Sequence, residues 1–168
     1  PATMIEFLNA YRVDAQHITS VFLALAVWRW GGGPERWLTG IFVATMVVPV
    51  FLLRGAGLGL PTAGPDAWLY FGIDLVAMAG FGLVALNANR NYPLWVAGLQ
   101  LVAVGAHMIK GMVEGVSLFA LVILIVGPSY CQLMVLIAGF VRHLRRERRF
   151  GTYRNWRVAR PRAALFQT

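Results

Sequence analysis

Hydrophobic positions along this chain gather into long runs, not into the alternation of a half-buried strand. Five runs have helical length, at about 14–30, 37–53, 68–86, 94–112 and 116–141. The segments between them hold the residues that end helices: GGGPER, RGAGLGLPTAGPDA and NANRNYP. Lipid offers no partner to an open backbone, and no stretch carries the dyad repeat of a barrel strand, so each run predicts a helix. The strictly apolar part of the first, Ile18 to Trp30, is short for a span. In the last, Gly127-Pro128 predicts a kink, because proline removes a backbone donor and crowds the preceding turn.

Some positions break the apolar pattern. In LQLVAVGAHMIKGMVEG, residues 99 to 115, the polar residues Gln100, His107, Lys110 and Glu114 fall on one side of a helix. Asp74 lies inside the third run and His17 inside the first. With a rise of 1.5 Å per residue, Asp74 sits about 9 Å from Trp68, and His107 and Lys110 lie within about 10 Å of the end of their run. In an up-and-down bundle these depths coincide. The pattern therefore predicts a polar cluster of Asp74, His107, Lys110 and His17, with Asp14 and Glu114 beside it, that binds a small ligand or an ion. A charge within a span costs roughly 2.5–3.5 kcal/mol on insertion scales, which makes Asp74 the first functional candidate. The same residues admit a structural reading, in which an Asp74–Lys110 pair and a His107 bonded to a carbonyl hold helices in register.

Composition fixes the broad class. At 58% hydrophobic and 13% charged residues, with a mean hydropathy of +0.64, the chain has more apolar surface than 168 soluble residues bury. It reads as an all-α integral membrane protein, a bundle of five transmembrane helices spanning residues 1–141. The net charge of +8 lies wholly outside that part. Arg12, Arg29, Arg36, Arg54, Arg90 and Lys110 balance Glu6, Asp14, Glu35, Asp66, Asp74 and Glu114, whereas residues 142–168 hold nine arginines against Glu147. Such a tail resists translocation, which predicts a cytoplasmic C-terminus and, across five spans, an outside N-terminus. Its first arginines, Arg142, Arg145, Arg146, Arg148 and Arg149, follow a span directly and predict contact with anionic lipid headgroups; nucleic-acid binding is the lesser reading. His143 is expected to be one more interfacial cation. Arg29, Arg36 and Arg90 read as ordinary loop charges.

Other chemistry is sparse. Cys131 is the only cysteine, which excludes an intrachain disulfide and a cysteine-built metal centre. No two histidines have metal-site spacing on one helix, no nucleophile–base set can be assembled, and GAGLG follows no strand, so the chain leans away from enzymes and phosphate loops. Two alternatives stay open. His17 and His107 could ligate haem b between two helices, or the site could hold a quinone, in a redox subunit. A transporter or channel would instead need the polar stripe to continue through Gln100, Ser129, Tyr130 and Gln132. AMAGFG, residues 77 to 82, and Gly111 with Gly115 supply small residues for close helix contact, within the chain or in a homo-oligomer or larger membrane complex.

The segment NANRNYPLWVAGLQLVAVGAHMIK, residues 87 to 110, resembles one found in small bacterial inner-membrane proteins of similar length. The resemblance implies a polytopic protein of the bacterial inner membrane and carries no activity with it. Five spans in this length are also similar to the layout of the tryptophan-rich sensory proteins, but their signature residues are absent, so no binding residue is carried over.

Overall fold

Between Met4 and Trp30 the sequence has neither glycine nor proline, and it forms one helix, α1 (Met4–Trp30). The computed structural model describes residues 4–55, 66–112, 118–151 and 154–157. Helix α1 begins ten residues before the expected run, because helical propensity continues through the polar residues where hydropathy stops. Gly31 and Gly32 make the first turn. With Gly32 extended (φ −79°, ψ 178°) and Pro34 in the first helical turn, α2 (Gly33–Phe42) starts four residues earlier than expected. It passes through a π-helical segment, Val43–Val47, into α3 (Val48–Gly55), and the backbone at both junctions stays helical, so the three pieces form one rod. The remaining rods are α4 (Asp66–Asn87), α5 (Tyr92–Met112) and α6 (Leu118–Phe150).

All described elements are thus helical, in five rods. Helix α5 packs most extensively on α4 and α6, while α1 and the α2–α3 rod cover the remaining side. The core is a seam of Leu23, Val27, Leu38, Phe42, Phe81 and Leu136 with their neighbours. Gly80 fits there because an added Cβ would lie 3.0 Å from Ile41, so part of AMAGFG serves close packing of α4 on the α2–α3 rod. The outward faces are apolar as well, with Phe22, Trp28, Leu52, Trp68, Leu83, Leu86, Trp95 and Met134 all exposed. Among the described residues three stretches, Gly33–Leu53, Trp68–Asn87 and Tyr92–Ile109, are long and apolar enough to cross a membrane. Helix α6 runs unbroken through Pro128 and continues to Phe150, so the first arginines of the tail are helical.

The turns at Gly31–Gly32 and at residues 88–91 lie at the same end of the bundle as the end of α6. We call this the turn end, and the opposite one the far end.

Candidate functional site

Two polar centres lie in the bundle, at different heights. The first occupies the seam of α4, α5 and α6. Gln100 and His107 are seven residues apart, two helical turns, and so share the face of α5 that meets α4. The Asp74 carboxylate receives both: its Oδ2 lies 3.1 Å from His107 Nε2, and its Oδ1 accepts a hydrogen bond of 2.8 Å from Gln100 Nε2. The same amide donates to the Asp74 carbonyl at 3.3 Å. From α6, Gln132 Nε2 donates to Gln100 Oε1 at 2.9 Å and to the Val96 carbonyl at 3.1 Å. Gln100 and Gln132 are each 1% exposed, so these amides are bonded into the packing. The result is a hydrogen-bonded line, His107–Asp74–Gln100–Gln132, through three helices.

The expected members are placed as follows. Asp74 and His107 come together, with Phe71 beside the imidazole at 6.3 Å between ring centroids. His17 is buried on α1 against Phe51 of α3, ring centroids 5.8 Å apart, and Asp14 is half-buried. The Lys110 side chain, Glu114 and Gly115 lie outside the described residues. Ser129, next to Pro128, accepts a 3.1 Å hydrogen bond from Gln16 and donates to the Val126 carbonyl, joining α1 to α6. Tyr70 lies one turn from Asp74 on the buried face of α4, and its hydroxyl is buried with no hydrogen-bond partner among the described residues; the Tyr130 hydroxyl is in the same state.

Sequence reasoning missed the second centre, at the turn end. Arg90, read as a loop charge, is buried in an ion pair with Glu35, itself 1% exposed in the first turn of α2. The Tyr92 hydroxyl donates to Glu35 Oε1 at 3.1 Å, and Arg90 NH2 donates to Asn155 Oδ1 at 2.6 Å. Asn155 belongs to a strap, residues 154–157, that returns across the bundle end. Asn89 N donates to the Asn155 carbonyl and Arg157 N to the Asn87 carbonyl, making an antiparallel bridge between Ala88 and Trp156. Glycines shape the fit: a Cβ on Gly33 would lie 2.7 Å from the Trp156 indole, and one on Gly139 would lie 2.7 Å from the Tyr92 ring. The signal in the sequence was slight, a Pro-Glu at a helix start and an aromatic-polar tail.

His143 is likewise not the expected interfacial cation. It is buried, its Nδ1 3.4 Å from Arg90 NH2 and its Nε2 3.6 Å from Glu147. Burial pushes its pKa below the ordinary range and the Arg90 charge pushes it further, against opposing effects of Glu147 and a backbone hydrogen bond to Trp30. By contrast Arg142, Arg145, Arg146, Arg148 and Arg149 are exposed on the last turns of α6. Between the Asn89–Asn91 turn and α6 lies a cavity of about 210 Å³, reached among the described residues by Asn89, Arg90, Arg142, His143 and Arg146. A separate shallow groove of about 480 Å³ on α6 is lined by Met134, Ile137, Ala138, Val141, Arg142 and Arg145.

No protein-family model matches this chain, and no curated protein and no solved structure matches it.

Proposed function

We propose that the chain is a non-enzymatic integral membrane module that binds a small ligand or ion at the Asp74–His107 centre, alone or as an accessory subunit of a larger complex in a bacterial inner membrane. In this reading all five rods cross the bilayer, α1 and α6 joining the three stretches long enough by composition. The N-terminus lies outside and the arginine-rich end of α6 in the cytoplasm. The far end, with Asp74 and His107, then occupies the outer half.

The observation that carries the reading is the carboxylate–imidazole contact of 3.1 Å within a bundle whose exterior is apolar. Ionisable groups are costly in such surroundings and mark binding or proton-handling sites. Anything that engages this pair must give the carboxylate or the imidazole a new partner in place of the other. The buried Tyr70 hydroxyl one turn away supplies an uncommitted donor on the same face of α4.

The test uses the full chain in dodecyl maltoside at about pH 5 and about pH 8, with sodium, calcium, zinc or decylubiquinone as probes. At least one probe is expected to raise the unfolding midpoint at one of the two pH values. Asp74→Asn and Tyr70→Phe are expected to abolish that shift. If no probe acts through Asp74, and Asp74→Leu with His107→Leu is as stable as the parent, the line is helix glue. A visible haem absorption band in the purified protein would favour the redox subunit instead.

A further inference from the structure

At the turn end, α1, α2 and α6 each bring an arginine to one place. Arg29 in the last turn of α1, Arg36 near the start of α2 and Arg148 near the end of α6 line a single groove of about 460 Å³, together with Trp30, Leu144 and Glu147. Its size falls within the roughly 300–1,000 Å³ of small-molecule sites. Arg29 and Arg36 look like ordinary loop charges in the sequence; the fold is what assembles them. Like charges converge at a cost, and among the described residues none of the three has a carboxylate partner. Arg29 lies over the Trp30 ring, its Cζ 5.6 Å from the centroid, which holds the side chain at the groove without neutralising it. Glu147 supplies a carboxylate to the same lining. Its contact with His143 Nε2 is long, at 3.6 Å, and its side chain is 43% exposed, so it is open to a partner from outside.

Guanidinium forks bind phosphate oxygens in pairs, so these donors suit a phosphate. Glu147 narrows the choice. A carboxylate in the groove repels a bare anion, whereas an anion that carries its own ammonium meets it with a charge-assisted hydrogen bond. The helix exterior supplies the carrier. Leu25 and Phe22 precede Arg29 by four and seven residues, so they share its face of α1, and both are exposed, as are Trp28 and Trp30 at the same end. An apolar face that ends in tryptophan and arginine is the profile of a bilayer's headgroup level. We infer that the groove binds the head of an aminophospholipid, its phosphate on Arg29, Arg36 and Arg148 and its ammonium on Glu147. Such a site requires the bundle to cross a bilayer, as proposed above, whichever leaflet the turn end meets. It does not depend on the Asp74–His107 centre.

Native mass spectrometry of the full chain, released from nanodiscs of equal parts phosphatidylethanolamine, phosphatidylcholine and phosphatidylglycerol, tests it. The first two lipids share the phosphate and differ in the amine, whose N–H groups are methylated in choline. The parent is expected to retain one phosphatidylethanolamine about tenfold ahead of phosphatidylcholine, the worth of one charge-assisted hydrogen bond. Glu147→Leu should bring that ratio to about one, and because the ratio is read within one sample, a partly destabilised variant still reports it. Arg29→Gln with Arg36→Gln should weaken retention of both lipids by about tenfold or more. Arg145→Gln with Arg149→Gln removes the same charge outside the groove and should change neither. Equal retention of the two heads by the parent, an unchanged ratio in Glu147→Leu, or equal losses in the two arginine pairs would overturn the proposal. Phosphatidylglycerol retained ahead of phosphatidylethanolamine would also overturn it, reducing the groove to general attraction for negative lipid. If millimolar inorganic phosphate raises the unfolding midpoint in dodecyl maltoside while the lipids are retained alike, the groove takes free phosphate and the lipid assignment fails. A chain stripped from membranes by alkaline carbonate would overturn the bilayer reading and this site together, whereas a resistant chain with no lipid preference loses this site alone.

Discussion

Glu35 and Arg90 are the two residues least able to lose each other. Both are buried, and the carboxylate also receives the Tyr92 hydroxyl. Glu35→Ala leaves a cation without its counter-charge in low dielectric, and should destabilise by about 3–5 kcal/mol; replacing Glu35 and Arg90 together with Leu and Met should cost less than the sum of the single changes. Denaturant titration in detergent reads both. His143 carries a pH dependence of definite sign. Its folded pKa lies below its ordinary 6.5, so on acidification the unfolded chain takes up the proton first. The stability it contributes is intact above about pH 6.5 and is lost as pH falls from there towards the folded value. The unfolding midpoint should therefore drop between about pH 7.5 and pH 5.5, and His143→Gln should flatten that slope. Asp74 and His107 were legible in the sequence because each interrupts an apolar run. Glu35 and Arg90 were not, since each sits next to glycines or asparagines where a charge is commonplace and only the tertiary fold takes it out of water.

Helices end where capping and backbone chemistry end them, whereas hydrophobic runs end where burial or lipid contact stops. That difference explains why the five runs were found and their limits were not. Helix α1 reaches back to Met4 through Arg12 and Glu6, and α6 passes nine residues beyond its expected end through five arginines. Strong helix formers such as arginine continue a helix irrespective of polarity. The close approach of elements was legible only in part: AMAGFG announced small residues, and Gly80 uses one of them against Ile41. Gly139 gave no such notice. Its missing side chain is what lets Tyr92 cross α6, and an added Cβ would sit 2.7 Å from the ring. Gly139→Ala should displace Tyr92 from Glu35 and cost about 1–3 kcal/mol, while Gly98→Ala, where nothing lies within 4 Å of the new methyl, should be neutral or slightly stabilising through helix propensity. Thermal unfolding of the two variants side by side separates packing from propensity.

For the whole molecule, the arrangement of charge predicts how it sits in a bilayer. With Cys131 replaced by serine, since it is exposed on α6, single cysteines at residues 60 and 160 should react in intact cells from outside and only after lysis, respectively. A residue 160 labelled from outside would reverse the orientation. The strap of residues 154–157 bears on how the protein is made. Translation runs in one direction, and Asn155 and Trp156 emerge after all the described helices have been produced. Until then the Glu35–Arg90 pair has no cover at its own end, and the insertion machinery holds a set of assembled helices with an unfinished rim. A chain stopped after Gly151 should therefore enter the membrane in normal yield and then be degraded faster than the parent in a pulse-chase measurement. Its lifetime, not its insertion, would report on the strap.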